Sequence, residues 1–262
     1  MRLAAEHLTL DYSGANVVRD VSLAIESGEF VAIVGPNGSG KSTLLRGLAR
    51  LHRPRNGRVL LGETDIRLLG SRAVARVLAL LPQAPSGALD LTVRELVWRG
   101  RYPHQGAVLQ RARPEDADAV EWALSAARIE ALAGRAIGSL SGGERQRAWI
   151  ALALAQQPRV LLLDEPTSYL DIEHQLEVMH LLSRLHSSGL TVVTVLHDLL
   201  LAARFAHRVI AMREGAVMLD GPPAEVLQPG PLEEVFRVPM ITLPDPDTGV
   251  PIAIPRHVVQ RE

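Results

Sequence analysis

The chain contains no cysteine. That excludes disulfides, Fe–S clusters and thiolate zinc sites, and it agrees with a reducing, cytosolic setting. Aromatic residues make up only 3% of the sequence, too few rings for a surface that stacks nucleic-acid bases. No stretch approaches the ~20 apolar residues that span a bilayer, so work at a membrane would need another chain to supply the spanning part. Residues 1–11 carry acids and no apolar core segment, which is not the pattern of a signal peptide. Neither sign of charge dominates: the net charge is −1, leaving no global basic field to attract nucleic acid. Lysine is almost absent too, and Lys41 is the only one. What is present is ordinary globular composition, 47% hydrophobic and 22% charged over 262 residues, enough to bury a sizeable core as one large domain or a domain with a lobe.

The sole lysine stands in Gly35-Pro36-Asn37-Gly38-Ser39-Gly40-Lys41-Ser42-Thr43, a match to G-x-x-x-x-G-K-[ST]. An apolar, β-branched stretch, Phe30-Val31-Ala32-Ile33-Val34, precedes it, and Leu44, Leu45 and Leu48 follow at helical spacing. Strand, glycine turn, helix is the context that makes the motif a phosphate-binding loop rather than a simple connection. The glycines free the backbone to aim successive N–H groups at phosphate oxygens, and the helix adds the positive end of its dipole. Lys41 supplies a compact ammonium for the β- and γ-phosphates, and the Ser42 hydroxyl is a ligand for Mg²⁺. Arginine does not replace lysine at such a position, and this otherwise arginine-using chain keeps lysine there.

Along the chain, Leu8-Thr9-Leu10 and Val21-Ser22-Leu23-Ala24-Ile25 alternate as strands joined across Ser13-Gly14-Ala15-Asn16. The first helix is expected to end near Pro54, before a strand over Arg58-Val59-Leu60-Leu61-Gly62; Val77-Leu78-Ala79-Leu80-Leu81 is a buried strand stopped by Pro82-Gln83. From Leu89 the texture turns helical. Thr92-Val93-Arg94-Glu95 is a capping-box signature, and Pro114-Glu115-Asp116 opens a longer helix ending near Gly134. The arginines of 94–113 read as a solvated face. Residues 88–157 are therefore expected to form a helical lobe inserted into an α/β core of 1–87 and 158–262. In that core, Val160-Leu161-Leu162-Leu163-Asp164 and Thr191-Val192-Val193-Thr194-Val195-Leu196 are continuous apolar runs, as in a parallel sheet covered on both faces. A helix lies between them, a hairpin follows across Arg213-Glu214-Gly215, and the tail carries two short helices and two extended segments around 244–249.

Two further stations carry chemistry. Asp164-Glu165-Pro166 places two acids at the C-terminal tip of a buried strand, the edge where open α/β sheets bind ligands. Beside a phosphate loop, Asp164 is suited to hold Mg²⁺ and Glu165 to polarise the attacking water. Leu140-Ser141-Gly142-Gly143-Glu144-Arg145-Gln146 is a capping box and also a glycine-bearing helix N-terminus, a second anion-binding device. One chain does not need two such devices for one triphosphate.

Taken together, the phosphate loop, residues 140–146, Asp164-Glu165 and the later His197 resemble the ATP-binding subunit of an ABC transporter, over essentially the whole chain. The resemblance implies a P-loop NTPase (RecA-like) core with an N-terminal antiparallel β region. It also implies a head-to-tail homodimer with two ATPs sandwiched, in which Ser141, Gly142 and Gly143 of one protomer face the γ-phosphate bound by the other. Residue by residue, Tyr12 matches the aromatic that stacks on adenine. Gln83 matches the glutamine that touches Mg²⁺ and the attacking water. Asp171, in Ser168-Tyr169-Leu170-Asp171, lies in the loop that crosses between protomers and also reads as an N-cap. His197 matches the histidine at the γ-phosphate, where a neutral imidazole donates and helps Glu165 hold the water. The other eight histidines read as surface residues. His174, His180 and His186 cannot share a metal, because six helical residues rotate the side chain by roughly 240°.

Gly100-Arg101-Tyr102-Pro103-His104, Arg147-Ala148-Trp149-Ile150-Ala151, Tyr169-Leu170-Asp171-Ile172, Leu196-His197-Asp198-Leu199 and the final Asp245-Pro246-Asp247-Thr248-Gly249 resemble the ATPases of ferric-siderophore, haem and cobalamin importers, the siderophore branch most of all. Leu200 departs from the polar residue usual there. The implied protein is a MgATP hydrolase peripheral to the cytoplasmic face of the cell membrane. Its implied partners are permease subunits and, indirectly, a substrate-binding protein, and it is expected neither to ligate the iron nor to bind nucleic acid. Haem or cobalamin import is the alternative within the group. A soluble ABC ATPase acting on nucleic acid or ribosomes is the alternative outside it, disfavoured by a single cassette, no heptads and no basic surplus.

Overall fold

The computed structural model describes residues 1–12, 15–83, 89–105 and 113–256. The expected turn at 13–14, the first residue of the expected lobe at 88, Arg111 and His257 lie outside them. Two strands open the chain, β1 (Leu3–Tyr12) and β2 (Ala15–Ile25), both longer than their alternation suggests. There follow β3 (Phe30–Val34), α1 (Lys41–Leu48), β4 (Asn56–Leu61), β5 (Thr64–Asp65), α2 (Ser71–Ala75) and β6 (Leu78–Leu81). Helices α3 (Val93–Trp98), α4 (Pro114–Ala126) and α5 (Gly142–Ala155) lie between β6 and β7 (Val160–Asp164). The remainder is α6 (Ile172–Ser187), β8 (Thr191–Val195), α7 (Leu199–Phe205), β9 (Arg208–Arg213), β10 (Ala216–Gly221), α8 (Pro223–Val226), α9 (Pro229–Phe236), β11 (Met240–Pro244) and β12 (Pro251–Pro255).

Among the described residues the strands form three sheets, ordered β10-β9-β3-β8-β7-β6, β2-β1-β4-β5 and β11-β12. In the first, β9, β3, β8, β7 and β6 run parallel and only β10 is antiparallel. The second is antiparallel throughout. The continuous apolar runs of the parallel strands divide cleanly by the two-residue period of a strand. Phe30, Ala32, Val34, Leu161, Leu163 and Val192 enter one core with α3 to α7. Val31, Ile33, Val160, Leu162, Val193 and Val195 enter a second core with α1 and the antiparallel sheet. Both faces are covered, so polar alternation never appears in these strands.

Several local expectations are corrected. The first helix ends at Leu48, well short of Pro54: Arg50 turns left-handed at φ 61° and its guanidinium reaches Leu69 O at 2.6 Å. Helix α4 ends at Ala126 rather than near Gly134, because Arg128 takes φ 56° and donates its N–H to Ser125 O. The arginines of 94–113 are not one solvated face. Arg101 is 3% exposed and donates to Asp116 Oδ1 at 2.9 Å, to Ala155 O and to Gln157 Oε1. Gly100 beside it has no room for a side chain, since a Cβ would stand 2.2 Å from Leu152 O. His7, His180 and His207 are exposed as expected, but not every histidine is a free surface group. His52, His104 and His186 donate to the backbone oxygens of Asp11, Gln156 and Gly28. The rings of His186 and His207 lie 4.5 Å apart, and burial with the neighbouring imidazole lowers the His207 pKa.

Candidate functional site

The C-terminal ends of β3, β7 and β8 converge, and the turn after β3 is held there by its neighbours. Gly35 lies against β9, where a Cβ would stand 2.1 Å from Met212 O; at Gly40, φ 98°, a Cβ would stand 2.7 Å from Val17 O of β2. Only glycine fits either position. Gly215 N donates to Ser39 O at 3.0 Å, clamping the turn to the β9–β10 hairpin. Helix α1 starts directly from Gly40 with no side-chain cap, so its first backbone donors are left to whatever the turn binds.

Lys41 is 5% exposed, and its Nζ donates to Gly35 O at 2.8 Å and Pro36 O at 2.9 Å. Burial lowers its pKa, while the charges of Glu165 and Asp164 push it back up. One helical position on, Ser42 Oγ donates to Asp164 Oδ1 at 2.6 Å. The other carboxyl oxygen, Asp164 Oδ2, is buried with no hydrogen-bond partner among the described residues, and the Arg46 guanidinium stands 3.7 Å away. Burial pushes the Asp164 carboxyl up in pKa, with the Ser42 hydrogen bond opposing. A buried carboxylate oxygen without a partner, next to a hydroxyl, is a donor set suited to a hard divalent cation.

Glu165 follows β7 at φ 54°, a left-handed conformation that costs a non-glycine residue strain. Its carboxylate is met from three sides. Gln83 Nε2, after β6, donates to Oε2 at 2.5 Å; Ser168 Oγ donates to the same oxygen at 2.9 Å. His197 Nε2 lies 2.6 Å from Oε1. The bond from Leu196 N to Ile33 O carries His197 to the same sheet edge. Gln83 and His197, distant in sequence, thus meet the nearby Ser168 on one carboxylate.

Tyr12 lies at the end of β1, 64% exposed, with its ring stacked on His52 at 6.2 Å and 20°. Ser141, Gly142, Gly143 and Asp171 make a separate cluster. Ser141 caps α5 in a complete box with Glu144, and Asp171 caps α6 through the His174 N–H. The two caps adjoin at Gly143, where a Cβ would overlap the His174 ring.

Sequence reasoning missed the Ser168 bond to Glu165, the nearness of Arg46 to Asp164 and the place of His174. The first two had a spacing signal: Ser168 is three residues after Glu165, and Arg46 is one helical turn after Ser42. The third pairs residues from different helices and had none.

Comparison with known proteins gives a consistent answer. The family model described as ABC transporter matches residues 18–168. The chain is 46% identical to the ferric enterobactin transport ATP-binding protein of Escherichia coli (strain K12) over 255 residues, covering 97% of this chain and 94% of that one. It is 41% identical to the iron(3+)-hydroxamate import ATP-binding protein of Bacillus subtilis (strain 168), covering 99% and 97%. Among solved structures, the dimer of the ATP-binding cassette MJ0796 in a post-hydrolysis state with ADP and Pi superposes at a TM-score of 0.73 with 31% identity, covering 84% and 98%.

Proposed function

Because this chain belongs to the ABC transporter ATP-binding family, an ATPase family with a P-loop NTPase core, we propose that it powers uptake of a ferric siderophore through a separate membrane permease. The observation that carries the substrate class is identity of 41–46% over nearly the full length to ATP-binding proteins named for ferric enterobactin and iron(3+)-hydroxamate transport. No described helix is long and apolar enough to cross a membrane, so the transport path belongs to a permease, with this chain at its cytoplasmic face. A substrate-binding protein acts upstream, and nucleic acid has no part.

Tyr12 stacks on adenine. The amides of residues 35–43 and the Lys41 ammonium hold the β- and γ-phosphates. Ser42, Asp164 and Gln83 hold Mg²⁺, which when bound screens phosphate charge and organises the γ-phosphate oxygens. Glu165 orients and deprotonates the attacking water, and His197 donates to the γ-phosphate. For that, His197 turns Nε2 from Glu165 to the phosphate. Ser141, Gly142, Gly143 and Asp171 complete the site in trans, across a homodimer. This division explains why the chain carries two anion-binding helix starts on separate clusters. The helices between β6 and β7 form the lobe of residues 88–157 that relays closure to the permease, with Gln83 at its root.

In cells lacking this chain, uptake of radiolabelled ferric siderophore is expected to stop, to return with the wild-type chain, and not to return with Glu165→Gln. General-base loss costs ~10²–10⁴ in rate, so that variant should bind ATP yet barely turn over. Undiminished uptake without the chain would refute the assignment.

A further inference from the structure

Asp171 and the Ser141-Gly142-Gly143 turn belong to different helices, and one side chain spans them. His174, in the first turn of α6, donates through Nδ1 to Asp171 Oδ1 at 2.6 Å, and its backbone N–H reaches the same oxygen at 2.9 Å. The opposite edge of the imidazole lies on α5. A Cβ at Gly143 would stand 1.9 Å from His174 Cδ2 and 2.5 Å from Cγ, whereas at Gly142 the nearest contact would be Leu170 Cδ2 at 3.4 Å. The ring therefore occupies the volume that a side chain at 143 would need. Gly143 is not among the left-handed glycines, so contact rather than backbone conformation demands glycine here.

The two local caps do not achieve this link. The Ser141–Glu144 box closes only on α5, and Asp171 closes only on α6. The charged groups around the ring are Asp171, Glu173 and Glu177 on α6, with Asp171 raising the His174 pKa most through its hydrogen bond. From α5, the Arg147 guanidinium faces them but is engaged by Glu177.

We propose that His174 is a positioning residue for ATP hydrolysis: its imidazole fixes the spacing between the glycine turn of α5 and the Asp171 loop, so both reach the partner's nucleotide as one unit. This rests on the trans arrangement proposed above. Reaction rates fall steeply when groups that surround a transition state are displaced by fractions of an ångström to an ångström. An aromatic ring pressed on a glycine at one edge and hydrogen-bonded at the other leaves little such freedom. The link is strongest with the ring protonated and weakens as pH rises through the raised His174 pKa, where the bond to Asp171 loses its charge assistance.

The test uses the full-length chain. His174→Ala should lose about tenfold in kcat with the KM for ATP and the thermal midpoint unchanged. His174→Asn, which keeps a donor toward Asp171, should recover part of that loss. The alkaline decline of wild-type kcat should flatten in His174→Ala. ATP-dependent dimer formation by Glu165→Gln, read by light scattering, is the control. If that variant stays monomeric with ATP, the trans arrangement fails and this inference with it. If it dimerises while His174→Ala turns over within twofold of wild type, or His174→Asn is no better than Ala, the positioning role alone is overturned.

Discussion

Lys41 shows how one residue's type and its environment combine. A buried ammonium with its pKa pushed down by desolvation is more readily neutral, and so more nucleophilic, than a surface lysine. With no other lysine in the chain, an amine-directed acylating reagent has only Lys41 and the N-terminus to modify. Peptide mapping should find Lys41 acylated without nucleotide and protected when ATP is present. Acylation indifferent to ATP would remove Lys41 from the phosphates. The environment of this residue was legible because its motif is local: loop, lysine and serine are adjacent in sequence, and the chemistry follows from their order. Glu165 was legible as a carboxylate at a strand tip, and Ser168, three residues on, stood at a spacing that could reach it. Gln83 and His197 were placed beside the attacking water by the resemblance alone; their direct bonds to Glu165 were not legible, because sequence carries no distance between the ends of different strands.

At the level of elements, the helices between β6 and β7 rest on a polar device. Arg101 and Asp116 are 3% and 2% exposed and hydrogen-bonded to each other at 2.9 Å. Asp116 also accepts the Arg113 N–H at the start of α4, so the pair joins the segment after α3 to the α4 N-terminus and, through Ala155 O, to the end of α5. Removing one partner of a buried pair leaves an uncompensated charge and costs about 3–5 kcal/mol. Arg101→Met should therefore lower the melting temperature by roughly 6–20 °C, at ~2–4 °C per kcal/mol for a domain of this size, as calorimetry would record. Arg101→Met with Asp116→Leu should recover much of the drop. An unchanged midpoint in the single variant would show that the pair is not structural. The sequence reading placed Arg101 on a solvated face because arginine is rarely buried. Nothing in its neighbours announced that Asp116, fifteen residues on, would follow it inside.

For the whole molecule, the C-terminal hairpin is tied back to the helix that begins just after His197. Asp245 accepts Arg204 Nε at 2.7 Å and the N–H groups of Asp247 and Thr248, which hold its carboxyl down at about 2, from an ordinary 3.8. A carboxyl with a folded pKa below its unfolded value contributes stability that is fully present above the unfolded value and fades as pH falls through the folded one. Docking of β11 and β12 on α7 should therefore hold down to about pH 4 and weaken between there and pH 2. Hydrogen exchange of the β11 and β12 amides through this range would follow it, and Asp245→Asn should show faster exchange already at neutral pH and a flatter acid limb. Protection in Asp245→Asn equal to wild type at every pH would rule the pair out as the anchor.

What the sequence determined by itself is whatever rests on neighbours in the chain. The phosphate loop between strand and helix, the capping boxes at Thr92 and Ser141, and the apolar runs of β3, β7 and β8 all depend on propensity, spacing and local hydrogen bonding, which act over a few residues. The tertiary structure decided the rest. It set which sheet face each strand residue enters, closed Gln83 and His197 on Glu165, buried Arg101 with Asp116, and laid the His174 ring on Gly143. Those outcomes depend on strand order, helix packing and desolvation. Each brings together groups whose separation along the chain gives no measure of their separation in space.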